Sequence, residues 1–558
     1  MSNTRRKMVA GVSTAAAMAL VLAACGSGGD EVDAEELLED ESQNVGAMED
    51  FSVGETFVAT SDEPLEISVL YRDHPNYPLE EDWSFFTYLE ENHNVTFQNQ
   101  VVPLSDWDEG RSLAIAGGNA PDVMPITYGG DEAQFVGSGT ILPISDYVDL
   151  MPHFTQKVEE WDLWEEVELQ QQLDGRYYMI PGLHENPYPQ YSLVIRKDLF
   201  EESGFSELPE TFDELADQLE QVMNDHDLDY GWTERWSGGG PMEATVNFMA
   251  DAFGTSAGWG FGDGLRYSHD ADEYVYAGAE DGYRDLVTYL NDLVDREILD
   301  PESVSQDDDT AIAKFTNGQA AAIGGNSQEL LNYRDNFDDD DVELQLIPVP
   351  AGPAGNVTTE PRTESGLMFG AELADSENLV ATLQFVDWLY YSDEGLEFAK
   401  WGVEGETFER DGDERVLAEN IDINGLNPGA DEALNVDYGY HNGVWMLAHG
   451  STEDLVQSML SDEITEFIDV MSAKEVLPPG PAYPYDEAEQ ETQSLTANTL
   501  GDGVQQNTAA FIIGQRSLDE WDDYVAELEG LGLSNYVQVA NEAAEREVDE
   551  EAFENGEE

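Results

Sequence analysis

The chain contains one cysteine, Cys25, so no internal disulfide bond can hold its fold together. A chain of 558 residues without such cross-links must be stabilised by burying apolar side chains. The composition allows this, because 41% of the residues are hydrophobic and 10% are aromatic. We therefore expect a folded protein with an ordinary hydrophobic core, and not a disordered chain.

The N-terminus has the pattern of an export signal. Arg5, Arg6 and Lys7 precede an apolar run, 8–22, that is short for a membrane span. Small residues then lead to Cys25, a pattern that resembles the bacterial lipoprotein signal, in which the cysteine becomes a lipidated N-terminus. An ordinary signal peptide or a membrane anchor with an incidental cysteine is the alternative. Lipidation at Cys25 would hold the protein on the extracellular face of the cell membrane, and both the general secretory and the twin-arginine export routes fit.

The charge balance is lopsided, with 120 acidic against 22 basic residues and a net charge of -98. Such self-repulsion destabilises a compact state unless counter-ions screen it. An acidic, lysine-poor surface around a normal core resembles halophilic or alkaliphilic proteins. The same charge argues against nucleic acid as a partner and against electrostatic docking to anionic lipid.

The folded region begins near Pro64 with alternating apolar residues, which predict a strand. Helical and strand patterns then follow each other as far as the strand that ends near Ile126, which predicts an α/β lobe with a largely parallel sheet. Ligands of open sheets bind beyond the carboxyl ends of the strands, which points to Asp73, His74 and Tyr128.

Later segments carry a resemblance through their order and spacing: Ala114–Val123, Asp174–Pro181, Leu193–Phe200, Leu208–Leu215, Arg296–Pro301, Phe315–Ile323, Gly402–Phe408 and Phe511–Asp522. Together they are similar to motifs of the extracellular solute-binding proteins of ABC importers. The last two resemble the lipoprotein-type, oligosaccharide-binding branch of that family. One match has a local reason, since Thr211 and Glu214 have the spacing of a capping box. The resemblance spans roughly residues 64–545.

The resemblance implies a two-lobe, periplasmic-binding-protein-like fold of type II, closed by a hinge. Crossings between the lobes are expected at 191–193, 363–367 and 402–407. The expected organisation is a signal peptide at 1–24, an acidic flexible tether at 25–62, an N-terminal lobe at 63–191 plus 362–405, a C-terminal lobe at 192–361 plus 406–545 and an acidic tail at 546–558. The implied function is a monomeric, membrane-anchored receptor that captures an oligosaccharide and delivers it to ABC transporter permease subunits.

Sugar sites combine aromatic platforms with short polar groups. The candidates of this kind are Tyr188, Tyr191, Trp232, Trp236, Trp259, Asn326, Trp401 and Trp445. A packing role is the alternative for each ring, and we expect it for more than half of them. Arg72 and Arg362 stand out because cations are rare; either could bind a carboxylated ligand, although a structural salt bridge is favoured for both.

A metal site is a further candidate. Asp225, Asp227 and Asp229 alternate in a segment that resembles the calcium loop of some relatives. The glycine is one place late, however, and no glutamate stands at the closing position, so the loop looks degenerate. No other cofactor is expected.

Enzyme motifs are missing from the sequence: it contains no Gly-x-Ser-x-Gly, no His-Glu-x-x-His and no phosphate-binding loop. Paired carboxylates have no diagnostic value among so many acids. We therefore expect a binding protein. The alternatives are a secreted polysaccharide-cleaving enzyme, a receptor for peptides or other solutes, and a structural surface lipoprotein without a small ligand.

Overall fold

A computed structural model describes residues 34–546 apart from 41, 119, 238–239, 338–340, 360–361, 413 and 446–449. The predicted signal peptide, Cys25 and residues 547–558 of the expected acidic tail lie outside the described residues. Within the described part of the chain, no helix is both long enough and apolar enough to cross a membrane.

Nine strands form the two main sheets: β1 (Leu65–Asp73), β2 (Val95–Pro103), β3 (Val123–Thr127), β4 (Ile180–Leu183), β5 (Ser192–Arg196), β6 (Tyr230–Trp232), β7 (Ala320–Gly325), β8 (Leu344–Ile347) and β9 (Thr363–Phe369). The first sheet has the order β2-β1-β3-β9-β4 and the second the order β8-β5-β7-β6. The alternating burial of Leu65, Ile67 and Val69 confirms the first predicted strand.

The first sheet is parallel where the β-α-β pattern predicts it. β1 pairs in parallel with both β2 and β3, whereas β9 runs antiparallel between β3 and β4. In the second sheet β6 and β7 are parallel, and β5 is antiparallel to both of its neighbours. Each sheet thus has a pair of parallel strands whose carboxyl ends lie at one edge.

Helices cover each sheet. Around the first sheet lie Ala34–Glu39, Ser84–His93, Trp107–Ala116, Ala133–Val136, Pro152–Glu160, Trp164–Glu168, Leu379–Tyr391, Asp393–Trp401, Leu434–Asp437 and Glu453–Ser458. Around the second lie Lys197–Glu202, Phe212–Asp225, Glu243–Ala250, Asp281–Asp295, Asp308–Thr316, Ser327–Asp335, Asp462–Ser472, Glu487–Ile512, Trp521–Gly530 and Leu533–Ala544. The Thr211 hydroxyl accepts the N–H of Glu214 at 3.2 Å, which caps Phe212–Asp225 as its spacing predicts.

Short two-stranded ribbons complete the secondary structure: Leu265–Ser268 with Glu273–Tyr276, Phe408–Asp411 with Glu414–Leu417, Ile421–Asp422 with Glu432–Ala433, and Val357–Thr358 with Glu475–Val476. The last ribbon joins two segments more than a hundred residues apart in the chain. It therefore ties the region between the sheets to the end of helix Asp462–Ser472.

Separate hydrophobic cores lie against the two sheets, and each defines a lobe. In the first lobe, helix Leu379–Tyr391 is buried along its whole length, as expected for a helix that is apolar on every side. The second lobe is centred on Leu193, Trp232 and Ile323 with the helices around them. The expected two-lobe α/β fold is therefore present.

The chain passes between the lobes in three places. It leaves the first sheet after β4 and enters the second at β5, so residues 184–191 form one crossing. Residues 348–362 return it from β8 to β9. The third passage lies at 460–463, between Met459 of the first core and Ile464 of the second.

The third crossing between the lobes lies at 460–463 and not at 402–407 as predicted. Residues 406–459 were expected in the C-terminal lobe after a crossing at 402–407. Phe408, Ile421, Leu434 and Trp445 instead pack in the first core. The order of motifs along the chain carries no information about which core these distant side chains enter.

The expected tether is also shorter than predicted. Phe57 and Ala59 are buried in the first core, and the N–H of Val45 donates to the carbonyl of Glu377 at 2.8 Å. The segment was expected to be a flexible spacer because it lacks a regular apolar period. Its few apolar residues are nonetheless sufficient to anchor it against the first lobe.

Candidate binding cleft

Residues that follow the parallel strands of both sheets form the sides of one cleft. Asp73 ends β1, and Tyr128 directly follows β3. On the other side, Asn326 follows β7, and Trp236 lies a few residues beyond the end of β6. Carboxyl ends of strands are where open α/β sheets bind ligands. The cleft between the lobes is therefore the candidate binding site.

Three aromatic rings contact one another on the second-lobe side of the cleft, where Tyr191 ends the first crossing and Trp236 and Trp259 belong to the second lobe. The ring of Tyr191 lies 5.7 Å from that of Trp236 and 5.2 Å from that of Trp259. The two tryptophan rings are 5.6 Å apart, and all three pairs meet edge to face. The side chain of Trp259 is 44% exposed, so this aromatic cluster presents an open apolar surface. All three rings are among the candidate binding residues predicted from the sequence.

The backbone of Trp236 has a positive φ of 58°, a conformation that bulky side chains rarely adopt. Its N–H donates to Oδ1 of Asp308 at 2.9 Å, and Arg235 is paired with Asp308 at 2.7 Å and with Glu329. The guanidinium carbon of Arg235 lies 4.5 Å from the centre of the Trp236 ring. Strain of this kind persists only where the surroundings impose it, and it is typical of functional sites.

Gly258 fixes the turn that precedes Trp259. Its φ is +57°, and a Cβ at this position would lie 1.9 Å from the carbonyl oxygen of Glu243. No other residue type fits here without moving the helix that begins at Glu243. The turn that carries Trp259 is thus packed tightly against the second lobe, and the position of the ring is well defined.

The first lobe presents a more polar face. The rings of His74 and Tyr77 stack at 4.4 Å with an angle of 7° between their planes. Tyr77 lies beside Arg72. Burial raises the pKa of both Tyr77 and Tyr191, and Tyr128, 53% exposed, lies near enough to both to raise their pKa further. Tyr128 therefore lies within electrostatic range of a ring on each side of the cleft.

Buried acidic groups lie behind both faces of the cleft. Burial raises the pKa of Glu132, four residues beyond Tyr128, to about 7. Burial likewise raises the pKa of Glu234, two residues before Trp236, to about 7, although it accepts hydrogen bonds from Trp232, Arg235 and Gly324. Both groups can therefore exchange a proton near neutral pH.

The base of the cleft lies at the crossing segments. Burial raises the pKa of Glu364 on β9, and this carboxyl lies near both Tyr188 and Tyr191. The ring of Tyr188 stacks on that of His184 at 5.6 Å. A cavity of about 320 Å³ opens beside these two rings, between the crossing segment and helix Asp462–Ser472. Tyr188 therefore lies at the hinge, apart from the aromatic cluster.

Three predicted platforms are core residues instead. Trp232, Trp401 and Trp445 are at most 2% exposed. The indole N–H of Trp232 donates to Glu234 at 3.0 Å, and that of Trp401 donates to Ser458 at 3.0 Å. Trp445 packs on Phe85 with the ring centres 5.2 Å apart. None of the three has a ring face open to the cleft, so the structure supports the packing alternative for them.

Asp73 and Asn326 lie in the cleft but also have structural partners. Oδ1 of Asp73 accepts the N–H of Leu79 at 2.9 Å and so closes a turn. Oδ1 of Asn326 caps helix Ser327–Asp335 through the N–H of Glu329 at 2.9 Å. The side chain of Asn326 also lies near the hydroxyl of Tyr191. Asn326 therefore lies beside a ring of the aromatic cluster.

The predicted calcium residues do not converge. The carboxylate of Asp229 accepts from the side chain of Gln319 at 2.9 Å, and that of Asp225 accepts from Gln221 at 3.4 Å. Among the described residues, no group of three or more His, Cys, Asp or Glu side chains is arranged to hold a metal ion. Asp225, Asp227 and Asp229 therefore do not form such a group in the described part of the chain.

Sequence reasoning missed Tyr77 and Glu364. Tyr77 follows a predicted strand by only a few residues, and that position is the one signal that could have found it. The position of Glu364 at the cleft depends on contacts across the fold. Arg362, in contrast, pairs with Glu166 at 2.8 Å, which supports the salt-bridge alternative for that residue.

The fold and the cleft define a two-lobe α/β binding protein. More specifically, residues 76–395 match the model of the bacterial extracellular solute-binding protein family, and the chain belongs to this family. The members of this family bind solutes and do not convert them, so this chain is not an enzyme.

Similarity to individual proteins extends over most of the chain. It is 24% identical over 469 residues, covering 78% of this chain and 82% of the other, to FusA of Streptococcus pneumoniae serotype 4, a fructooligosaccharide ABC transporter substrate-binding protein. Solved FusA structures hold kestose or, for an EF-hand mutant, fructo-nystose; the kestose complex has a TM-score of 0.61 at 19% identity, over 88% of this chain and all of that one.

Other solved structures share the fold. An extracellular solute-binding protein from Bifidobacterium longum subsp. infantis matches with a TM-score of 0.65 and 17% identity, over 88% of this chain and 99% of that one. The alginate-binding protein AlgQ2, solved without calcium ion, matches with a TM-score of 0.66 and 17% identity. The match covers 87% of this chain and 99% of that one. At these identities the likeness establishes the architecture and not the ligand.

Proposed function

We propose that this protein is the substrate-binding component of an ABC importer and that its cargo is an oligosaccharide. The observation that carries the proposal is the aromatic cluster of Tyr191, Trp236 and Trp259, which faces Tyr128 across the cleft. Sugars have flat apolar faces edged by hydroxyl groups, and rings beside polar side chains suit both. The names of FusA and AlgQ2 support a carbohydrate ligand.

Ligand would stabilise a closed arrangement of the lobes. Trp236 and Trp259 belong to the second lobe and Tyr128 to the first, so a sugar held between them contacts both. Closure then requires rotation about the crossings at 184–191, 348–362 and 460–463. The closed monomer would be the form that the permease subunits recognise, because only contacts that differ between the two forms can shift their equilibrium.

The membrane attachment belongs to the same proposal. Lipidation of Cys25 would tether the receptor beside its permease on the extracellular face. A Cys25→Ser variant should be released into the medium, whereas the parent should stay in the membrane fraction and incorporate labelled fatty acid. Equal retention of both forms would contradict lipid anchoring.

The charge of the chain also bears on the salt and pH of the medium in which the protein works. A chain with a net charge of -98 needs counter-ions, so we propose that it works in strong brine or at alkaline pH. The melting temperature should fall as sodium chloride is removed at constant pH. A melting temperature that does not respond to salt would argue against this environment.

A thermal-shift screen tests the function. The purified protein, in concentrated salt, is heated with members of a panel of neutral and acidic oligosaccharides, peptides and monosaccharides. A ligand that binds only the folded state must raise the melting temperature. A rise with one sugar class supports the proposal, and chromatography should recover that sugar uncleaved. A rise only with peptides, or no rise with any sugar, would contradict it.

A further inference from the structure

Almost all cations in the described part of the chain are paired with acids. Those that make no ion pair there are Arg72, Arg284, Lys400 and Lys474. Lys474 donates to the carbonyl of Val349 and to Asn356, and Arg284 is exposed on helix Asp281–Asp295. Lys400 is buried among the side chains of the first lobe. Arg72 alone of these four lies in the cleft.

The guanidinium of Arg72 is only partly satisfied. Arg72 is half-buried near the end of β1, and its Nε is buried without a hydrogen-bond partner among the described residues. The Tyr77 hydroxyl lies near the side chain, but a phenol supplies no charge. Among the described residues, the cation therefore lacks the carboxylate partner that most other arginines there have.

Neighbouring acids are already engaged elsewhere. Asp73 closes a turn through the N–H of Leu79, and Asp131, three residues after Tyr128, is paired with Arg111 at 2.7 Å. His74, stacked on Tyr77, adds no competing cation at neutral pH, since burial and the charge of Arg72 lower its pKa. Within the described part of the chain, these neighbours therefore leave the charge of Arg72 without an ion pair.

In a protein with 120 acidic residues, partners for one arginine are easily available. A half-buried donor without an acceptor costs free energy, whereas a planar carboxylate can accept two parallel N–H bonds from a guanidinium. An unpaired arginine at a ligand cleft is therefore the arrangement expected if the acceptor arrives with the ligand.

We propose that Arg72 binds the carboxylate of an acidic sugar unit, so that the cargo is a uronate-containing oligosaccharide. This inference rests on the proposed function and specifies its substrate class. The uronate carboxylate would lie against Arg72 and Tyr77 in the first lobe. The apolar face of the same or a neighbouring unit would lie on Trp236 and Trp259 in the second lobe.

Isothermal titration tests this assignment with trisaccharides of galacturonate and of mannuronate, and with their carboxyl-reduced, neutral counterparts. All titrations use the same high salt, which screens the repulsion between an anionic ligand and the acidic protein. The parent protein should bind at least one of the acidic trisaccharides more tightly than its neutral counterpart. A sulfated neutral trisaccharide should bind more weakly than the uronate, because the planar carboxylate matches the guanidinium.

Substitutions at Arg72 test whether this residue supplies the positive charge that binds the carboxylate. Arg72→Gln should lower the affinity for the acidic trisaccharide by about tenfold to a hundredfold, the loss expected for a charge-assisted hydrogen bond, and should leave the affinity for the neutral one unchanged. Arg72→Lys should recover only part of the loss. Arg284→Gln, which removes another unpaired arginine, is the matched control and should bind like the parent. Melting temperatures close to that of the parent would show that each variant is folded.

The outcomes separate this inference from the proposed function. If the parent prefers neutral sugars, or if Arg72→Gln binds acidic and neutral sugars as the parent does, the role of Arg72 is refuted while the receptor function stands. A stronger preference for the sulfated sugar would also refute a carboxylate ligand. If no sugar binds, the proposed function itself fails.

Discussion

The two faces of the cleft differ in chemistry and in how they are held. On the second lobe, three rings contact one another, and an arginine fully engaged with Asp308 and Glu329 supports them. On the first lobe, the rings of His74 and Tyr77 lie beside Arg72, which makes no ion pair with any residue that the structure describes. The difference indicates that the second-lobe face offers a ligand apolar contact area, whereas the first-lobe face offers it charge and orienting polar groups.

The largest effect should come from a tryptophan that lies behind the cleft. Trp232 is fully buried in the second core, so Trp232→Ala removes a large side chain and leaves a cavity. We expect the free energy of unfolding to fall by about 3–5 kcal/mol, measured by urea denaturation. A variant that kept the stability of the parent and lost only ligand affinity would move Trp232 back to the ligand site.

The exposed rings should show the opposite behaviour. Trp259→Ala should weaken sugar binding by about 2 kcal/mol, or about thirtyfold, because the ring supplies contact area that the fold does not need. Titration calorimetry measures the loss, and urea denaturation should find a near-parental stability. Trp161, a half-buried ring that packs on the first core, is the matched control. If Trp161→Ala reduced sugar affinity equally, the cluster would not be the platform.

The strained backbone of Trp236 allows a finer test. Both Trp236→Ala and Trp236→Gly remove the ring and should lose the same affinity. The glycine variant should be more stable than the alanine variant by about 1 kcal/mol, because only glycine adopts a φ of 58° without cost. Thermal unfolding of the pair measures this difference. Equal stability of the two variants would show that the strain has no energetic weight.

The smallest effect concerns pH and the first-lobe face. Burial raises the pKa of Glu132 from 4.5 to about 7 in the folded state. A raised pKa means that the folded state binds the proton more tightly, so this contribution to stability is complete below the unfolded value and is lost as the pH rises through the folded one. The melting temperature should therefore fall between about pH 5 and about pH 8.

Glu132→Gln should reduce that slope without abolishing it, because Glu234 behind the other face has its pKa raised to about 7 in the same way. The variant can keep the acceptor for the N–H of Gly130. A series of melting curves across this range measures both slopes. Identical slopes for parent and variant would show that Glu132 titrates normally.

Local patterns predicted local structure well. The alternation of Leu65, Ile67 and Val69 placed the first strand, and the spacing of Thr211 and Glu214 placed a helix start, because both depend on neighbours in the chain. The same patterns predicted Tyr191, Trp236 and Trp259 as ligand-binding rings. They could not distinguish these rings from the buried ones of Trp232, Trp401 and Trp445. Whether a ring is buried depends on side chains hundreds of residues away, such as Phe85 against Trp445.

The sequence by itself determined the α/β class, the family and the candidate rings, since order, spacing and residue type are properties of the chain. Only the tertiary structure decided which rings meet in the cleft and that the described residues of 406–459 join the first core. It also decided that Arg362 has a carboxylate partner, while Arg72 has none in the described part of the chain. Burial and ion pairing depend on distances between residues that are far apart in the chain, and those distances exist only once the lobes have folded.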